Sequence, residues 1–263
     1  MSKMLTGAVR NGWITDQHGS WAMGFVPLGY GLWLAKPLGV PHLLMVGAWT
    51  CGFFFFAVAE KWLKFRFKKR YQPALYTYGG TAAIFSAILV VLEPQLWWWA
   101  LVYIPLIAVS FFQSWARRER ELSSRLVAIA AATLVLAVVV NINSAQPWFQ
   151  GGVTTHAWVL SALFAAYFSS TVPFVKTLIR QRNSPGWLVG SIATHVLLVI
   201  VMIVLAARHV VGWAHVVVWV LLLIRAILLP LIAKKRAKPW RPRQVGLTEI
   251  GFSILVFVTL PLS

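Results

Sequence analysis

Residues 41–70 read PHLLMVGAWTCGFFFFAVAEKWLKFRFKKR, an apolar run that ends abruptly in a strongly basic segment. A helix of about 20 apolar residues crosses the roughly 30 Å hydrocarbon layer of a bilayer, so residues 41–63 are long enough to span it. Basic residues collect at the cytoplasmic ends of such helices. This stretch therefore predicts a membrane-spanning helix that is followed by a cytoplasmic segment at residues 61–70.

The same alternation of apolar runs and basic segments continues along the chain. Of its 263 residues, 59% are hydrophobic and 11% are charged, which is typical of a membrane protein rather than a soluble domain. We predict an all-α, polytopic transmembrane helix bundle that forms a single domain over residues 1–263. The nine predicted spans lie near residues 20–35, 41–63, 74–92, 96–115, 126–143, 154–175, 187–206, 214–232 and 246–262.

The distribution of Lys and Arg predicts the orientation of these spans. With a cytoplasmic N-terminus, 21 of the 24 Lys and Arg residues lie in cytoplasmic segments, and Lys36 and Arg208 lie outside. A chain of nine spans then has its C-terminus outside. Lys3 and Arg10 precede an apolar run, as in a signal peptide, but Pro27 and several glycines interrupt the run, and we expect it to remain as the first span.

The net charge of +18 has a similar explanation. In a soluble protein such an excess of basic residues is typical of nucleic-acid binding. In a multi-pass protein it follows from basic loops that fix the topology and contact anionic lipid headgroups. We expect a protein of the cell inner (plasma) membrane, with membrane lipids as partners, anionic headgroups at its cytoplasmic loops, and no nucleic acid.

The first span is short and contains Gly24, Gly29, Gly31 and Pro27. Such a helix either packs very closely on its neighbours or is broken. A broken helix is tolerated in a membrane where it faces protein or a wet cavity. The sequence is compatible with both alternatives.

Arg225 stands inside the eighth predicted span, in the segment VLLLIRAILLP at residues 220–230. A charge at this depth is costly without a partner or access to water, so it indicates a candidate functional site. Glu249 is the expected partner, because the short segment 234–244 makes the last two helices antiparallel neighbours. A structural salt bridge and a functional site both explain this pair, and snorkelling of Arg225 to the inner interface is a further interpretation.

The segment DQHGSWAM, residues 16–23, concentrates polar groups where the N-terminal segment meets the first span. We expect it to line a polar cavity open to the cytoplasm, together with basic residues from the inner ends of other spans. Arg and Lys at such a mouth suit phosphate, diphosphate or carboxylate groups, although basic residues there also serve only to fix topology. The candidate ligand-binding residues are Asp16, Gln17, His18, Trp21, Lys176, Arg180, Arg225 and Glu249, with Arg117 and Arg118 near the mouth.

The sequence predicts neither a metal site nor a cofactor. Cys51 is the single cysteine, which excludes an internal disulfide and a CxxC motif. The histidines lack ligand spacing such as HxxxH, and mid-span His195 is a structural or possible site residue beside Ser191 and Thr194. The chain has no P-loop, GxSxG, HExxH or DxxxD motif, so the Mg²⁺ site of a nine-span prenyltransferase is excluded and no enzymatic activity is assigned.

Several segments resemble the YwiC-like family of bacterial membrane proteins. DQHGSWAM is similar to the family signature QHGAWAM, with Ser20 in place of the usual alanine. TVPFVKTLIRQRNSPGW with His195 after it, and RAILLP with RPRQVGLTEI, resemble later blocks of the family. The resemblance runs from the first span to the last and implies a membrane protein but no particular activity. It adds weight to Gln17, His18, Trp21, Lys176, Arg180, His195, Arg225 and Glu249.

From these features we expect a protein that binds an anionic amphiphile, such as a lipid or isoprenoid phosphate, in a cytoplasm-facing polar cavity. Arg225, Lys176 and Arg180 are the expected anion contacts, and His18 is the candidate catalytic acid or base. One alternative is a small-solute transporter in which His18, Arg225 and Glu249 gate or carry protons. The other is an accessory or assembly subunit of a membrane complex.

Overall fold

The computed structural model describes residues 3–15, 18–118, 121–235, 240 and 242–260. In these ranges the regular structure is helical, without strands, and the predicted all-α fold class is confirmed. Short 3₁₀ turns lie at Lys69–Tyr71, Pro94–Trp99 and Trp148–Gln150. The α-helices are α1 Lys3–Arg10, α2 His18–Leu34, α3 Val40–Lys64, α4 Gln72–Leu92, α5 Ala100–Trp115, α6 Leu122–Asn141, α7 Thr155–Ile179, α8 Pro185–Ala207, α9 Trp213–Lys235 and α10 Pro242–Val258.

Seven of the described helices, α3 to α9, are long and apolar enough to cross a membrane, when α4 and α5 are taken with the 3₁₀ turns before them. The chain is thus a polytopic helical membrane protein by the length and composition of its helices. Helices α2 and α10 have 17 residues each, at the lower end of the roughly 17–25 residues that span a bilayer. The count of nine spans and the orientation of both termini stay predictions.

The chain divides into two compact units, residues 1–162 and 163–263. The first unit contains α1 to α6 and the start of α7. The second unit contains the rest of α7 with α8, α9 and α10. The assignment of residues 1–263 to a single domain stays a prediction.

In the first unit, α3 packs along α4, α2 packs along α6, and α5 contacts both α3 and α6. Buried apolar residues of α3 and α4, including Val58 and Ala74, form one core cluster near the N-terminal segment. The Tyr78 hydroxyl donates a hydrogen bond to the carbonyl oxygen of Trp13 at 2.9 Å. This bond attaches the segment before α2 to the N-terminal half of α4.

Helix α2 is continuous through Pro27 and packs closely on its neighbours. A Cβ atom at Gly31 would lie 3.1 Å from the backbone of Leu136 in α6. A Cβ atom at Gly24 would lie 2.9 Å from the ring of Phe53 in α3. Small residues let helices approach in this way. Of the two alternatives for the first span, the structure shows close packing rather than a broken helix.

One buried amide, Asn141 at the end of α6, holds the loop that follows. Its Oδ1 accepts a hydrogen bond from Trp99 Nε1 at 2.9 Å. Its Nδ2 donates to the carbonyl oxygens of Gln146 at 3.1 Å and Gly152 at 3.0 Å. A Cβ atom at Gly152 would lie 2.0 Å from the Gln146 carbonyl oxygen, so a side chain does not fit there.

In the second unit, α8 and α10 both pack on α9. The core near one end combines Phe174 and Leu178 of α7 with Ala226 of α9 and Val245 of α10. This packing brings the polar residues of α7, α8, α9 and α10 described below toward one another.

Candidate functional site

Two regions of the described chain are candidates for a functional site. The first is a partly open cavity lined mainly by α2 to α6 of the first unit, here called the first-unit cavity. The second is a set of buried polar side chains in the second unit, here called the Arg225 cluster, made of Arg225, Glu249, His195 and Ser191 with the rings of Phe174 and Phe252.

The first-unit cavity has a volume of about 370 Å³. Most of its wall is apolar and aromatic, with Met45, Trp49, Leu96 and Trp99 toward one end. Along α3 the lining runs from Met45 to Glu60, a length of about 22 Å at the α-helical rise of roughly 1.5 Å per residue. The space is therefore elongated and follows the helix axis.

Polar side chains gather at the opposite end of this cavity. Glu60 belongs to the end of α3, Ser110 to the end of α5, and Arg125 to the first turn of α6. The Ser114 hydroxyl donates to Glu60 Oε1 at 3.3 Å. The orientation predicted from the basic segments places this end at the cytoplasmic side. The polar lining residues at this end are Thr15, Ser20, Glu60, Ser110, Ser124 and Arg125.

The N-terminal motif borders this cavity. Ser20 and Met23 line it from α2. Trp21 points elsewhere: its side chain is 38% exposed, and its ring lies 5.5 Å from that of Phe54 and 5.6 Å from that of Phe53. Asp16, Gln17 and the side chain of His18 lie outside the described residues, so their predicted roles stay predictions.

Arg225 and Glu249 form the centre of the Arg225 cluster. Arg225 Nη1 donates to Glu249 Oε1, which joins α9 to α10 as predicted. The Arg225 side chain is 2% exposed and that of Glu249 is 18% exposed. The pair is therefore a buried ion pair, and its carboxylate lies closer to the surface than its guanidinium.

Two aromatic rings lie against the Arg225 guanidinium. Its Cζ lies 4.1 Å from the ring centroid of Phe174 and 4.6 Å from that of Phe252. Cations are attracted to aromatic faces at such distances, more strongly where water is excluded. The N–H bonds of the guanidinium lie in its own plane, so its hydrogen bonds form at its edges.

His195 approaches the same cluster from α8. Its ring centroid lies 6.5 Å from that of Phe174, and it is close enough to Arg225 for electrostatic interaction. His195 Nδ1 lies 2.8 Å from the carbonyl oxygen of Ser191. A carbonyl oxygen only accepts, so Nδ1 carries the proton and donates, and Nε2 keeps a lone pair.

Tyr167 supports α10 from α7. Its hydroxyl lies 2.8 Å from Ser253 Oγ and donates toward the backbone carbonyl of Glu249 at 3.3 Å. These contacts fix the turn of α10 that carries Glu249. Neither Tyr167 nor Ser253 has a spacing or motif in the sequence that would have identified it.

The remaining predicted residues lie at helix ends. Lys176 Nζ stands over the ring of Trp187 at 4.2 Å. Arg180 is exposed just after α7. Arg117 and Arg118 are exposed after α5, and Arg118 Nε lies 3.7 Å from Glu121 Oε1. The anion-binding roles proposed for these side chains stay predictions.

Acid–base and thiol side chains do not assemble a metal site in the part of the chain that the structure describes. There, no group of three or more His, Cys, Asp or Glu side chains is placed to hold a metal ion. The expectation of no metal and no cofactor stays a prediction.

A sequence model of the family described as YwiC-like protein matches residues 14–140. This part of the chain is therefore similar to the YwiC-like family. The resemblance noted from the N-terminal motif is thereby confirmed. All residues that line the first-unit cavity, from Thr15 to Val138, fall within the matched range.

Two relatives extend the YwiC-like similarity beyond this range. A Haemophilus influenzae protein described as uncharacterized is 24% identical over 253 residues, which cover 94% of this chain and 96% of that protein. The Bacillus subtilis protein YwiC, also described as uncharacterized, is 28% identical over 204 residues, covering 76% of this chain and 80% of YwiC. No solved structure matches the chain significantly.

Proposed function

We propose that this YwiC-like protein binds an anionic amphiphile, such as a lipid or isoprenoid phosphate, with its apolar chain in the first-unit cavity. The supporting observation is the division of the cavity into a long apolar part and a polar end that includes Arg125. An amphiphile has the same division. The volume of the cavity, about 370 Å³, falls within the roughly 300–1,000 Å³ of small-molecule sites.

The head group decides the affinity in this proposal. Lipid tails are as apolar as the cavity wall, so moving a chain from the bilayer into the cavity releases little hydrophobic free energy. Arg125 forms charge-assisted hydrogen bonds with phosphate or carboxylate oxygens, and the hydroxyls of Ser110 and Ser124 add neutral ones. Glu60 at the same end opposes the binding of multiply charged groups, so a monophosphate is favoured over a diphosphate.

Filling the cavity tests the proposal directly. Gly52 lines the cavity, and a Cβ atom there would meet no heavy atom within 4 Å. Gly52→Leu therefore adds a side chain to the cavity lining at a position where its first carbon meets no obstacle. Gly80→Leu is the matched control, because Gly80 is exposed on α4 and is equally unobstructed.

The measurement is native mass spectrometry of the full chain released from its own membrane in mild detergent. Wild type and Gly80→Leu should carry a bound mass that matches a lipid or prenyl phosphate, and Gly52→Leu should lose most of it. Arg125→Gln should retain less of the phosphate-bearing ligand. Equal retention by the Gly52→Leu variant and wild type would refute binding in this cavity.

Farnesyl monophosphate and farnesol, added to lipid nanodiscs that contain the protein, separate the contributions of head group and chain. We expect farnesyl monophosphate to bind at least tenfold more tightly than farnesol, because a charge-assisted contact contributes about 1.5–3 kcal/mol. Arg125→Gln should remove that preference. Equal affinity for the two probes would contradict an anionic ligand.

The two alternatives predict different observations. A transporter with Arg225 and Glu249 in its pathway is favoured by ionisable side chains buried inside spans. It predicts proton-coupled uptake into vesicles that Glu249→Gln abolishes. An accessory or assembly subunit predicts co-purification with a larger complex and no bound ligand.

A further inference from the structure

The Arg225 cluster contains buried polar atoms that its own side chains leave without partners. Among the described residues of the second unit, these include Arg225 Nε and Nη2, Glu249 Oε2, His195 Nε2 and Ser191 Oγ. Buried polar groups nearly always have hydrogen-bond partners, so a concentration of unpaired ones favours a site for a bound polar group. Arg225 and His195 are also buried as whole residues, at 4% and 0% exposure.

The unpaired atoms of Arg225 have a specific geometry. Nη1 is occupied by Glu249, whereas Nε and Nη2 carry parallel N–H bonds on the side edge of the guanidinium. That edge binds both oxygens of a carboxylate at once. Phe174 and Phe252 lie against the same guanidinium, so among the described residues its surroundings are apolar apart from Glu249 and His195. A carboxylate on the Nε–Nη2 edge matches the two parallel N–H donors.

The charge balance adds a second requirement. The positive charge of Arg225 is already cancelled by Glu249, so a bound anion would leave one buried negative charge without compensation. A proton on Glu249 Oε2, which has no partner, restores neutrality. Glu249 is also the more exposed member of the pair, at 18% against 2%, which gives a proton from the medium access to its carboxylate.

We propose that the second unit binds a small monocarboxylate on the Nε–Nη2 edge of Arg225 together with one proton, which Glu249 takes up. The carboxylate forms two hydrogen bonds with Arg225, and the proton enters from the medium and forms an O–H bond on Glu249. The net charge of the cluster is zero before and after binding. The inference concerns a different site from the first-unit cavity and does not depend on it.

The other ionisable groups around Glu249 fit this assignment. Arg225 faces Glu249 from α9, and the hydroxyl of Tyr167 contacts the Glu249 backbone from α7. His195, on α8, lies near Arg225. His195 Nε2 offers a hydrogen-bond acceptor within the cluster, because Nδ1 donates to Ser191. On α10 itself, the neighbour of Tyr167 is the neutral Ser253.

The test uses sodium benzoate as the probe and the full chain in lipid nanodiscs, with empty nanodiscs as the blank. Isothermal titration calorimetry between pH 5 and 8, in two buffers of different ionisation enthalpy, gives both affinity and proton uptake. Wild type should take up about one proton per benzoate. Over the pH range in which Glu249 is charged in the unliganded protein, the affinity of wild type for benzoate should fall about tenfold for each unit of rising pH.

Three variants separate the roles. Glu249→Gln should bind benzoate without proton uptake and with little pH dependence, and at pH 8 more tightly than wild type, because Arg225 then has no competing carboxylate. Arg225→Lys keeps the charge but loses the paired N–H edge, and should weaken binding at least tenfold. Arg208→Gln, at an exposed position after α8, should behave as wild type.

Absence of benzoate binding to wild type throughout this pH range would overturn the proposal. So would proton uptake by Glu249→Gln equal to that of wild type. If Arg225→Lys fails to fold, the wild-type pH series and Glu249→Gln still decide the outcome. Loss of amphiphile in the Gly52→Leu variant bears on the first-unit cavity alone.

Discussion

The first-unit cavity is a space of about 370 Å³ with mostly apolar walls, whereas the Arg225 cluster is a set of polar groups shielded from solvent. The cavity provides space for a ligand, and its wall is mostly apolar. In the cluster, the chain buries charge and leaves hydrogen-bonding capacity unused. The difference predicts that substitutions in the cluster affect stability strongly, whereas substitutions in the cavity wall affect ligand binding with little change in stability.

The largest expected effect is the loss of one member of the ion pair. Arg225→Leu leaves Glu249 buried and unpaired, and should lower the free energy of unfolding by about 3–5 kcal/mol. Unfolding in mixed micelles of increasing SDS fraction, followed by circular dichroism, measures this change. The double variant Arg225→Leu/Glu249→Leu should recover most of the loss, since apolar replacement of a whole buried pair is often neutral or better.

This double-mutant comparison also tests the contrast between the two regions. If Arg225→Leu costs less than about 1 kcal/mol, as for an exposed ion pair, the cluster is hydrated and the two regions are less different than their burial indicates. The same variant should lose benzoate binding.

Asn141 is expected to have the next largest effect, and it lies in the first unit beyond the cavity lining. Asn141→Leu removes three hydrogen bonds and leaves Trp99 Nε1 and two loop carbonyls without their partner. We expect a loss of about 2–4 kcal/mol in the same unfolding assay, because unpaired buried groups cost roughly 1–3 kcal/mol each and the loop regains some contact with water. Gln150→Ala, at an exposed position of the same loop, is the control and should change stability by less than about 0.5 kcal/mol.

Much of this arrangement follows from the sequence. The pairing of Arg225 with Glu249 was predicted from the depth of the arginine and the short segment between their helices, and it is confirmed. The close packing of α2 was one of two alternatives, and the glycines that allow it were visible in the sequence. Both inferences rest on chain connectivity and residue size, which a sequence states directly.

The cavity and the aromatic cover of Arg225 do not follow from the sequence. Glu60 and Arg125 adjoin basic segments, and the sequence alone assigns both segments to topology. Their shared cavity depends on how α3, α5 and α6 pack, which their apolar periodicity does not determine. In helices that are apolar on most sides, periodicity carries little information about which ring faces a neighbouring charge. Phe174 and Phe252 were therefore not distinguishable from lipid-facing residues.

A smaller effect is expected at Tyr167. Tyr167→Phe removes the hydroxyl that contacts Ser253 Oγ at 2.8 Å but keeps the ring in place. The loss should be about 1 kcal/mol, the net contribution of one hydrogen bond. Tyr76→Phe is the control, since Tyr76 is 67% exposed and should show no change. If Tyr167→Phe costs as much as Arg225→Leu, the position of Glu249 depends on α7 more than on its ion pair.

Gly52→Leu, in the first-unit cavity, should change stability least and amphiphile binding most. Gly52→Leu replaces a glycine inside α3 by a better helix former, so it should raise the free energy of unfolding by up to about 1 kcal/mol. Gly80→Leu should give a similar gain, because the same helix propensity applies in α4. If Gly52→Leu instead destabilises the protein while Gly80→Leu does not, the new side chain displaces a ligand that normally fills the cavity and stabilises the fold. The ligand would then be part of the folded structure, and removing it from wild type should reproduce the loss.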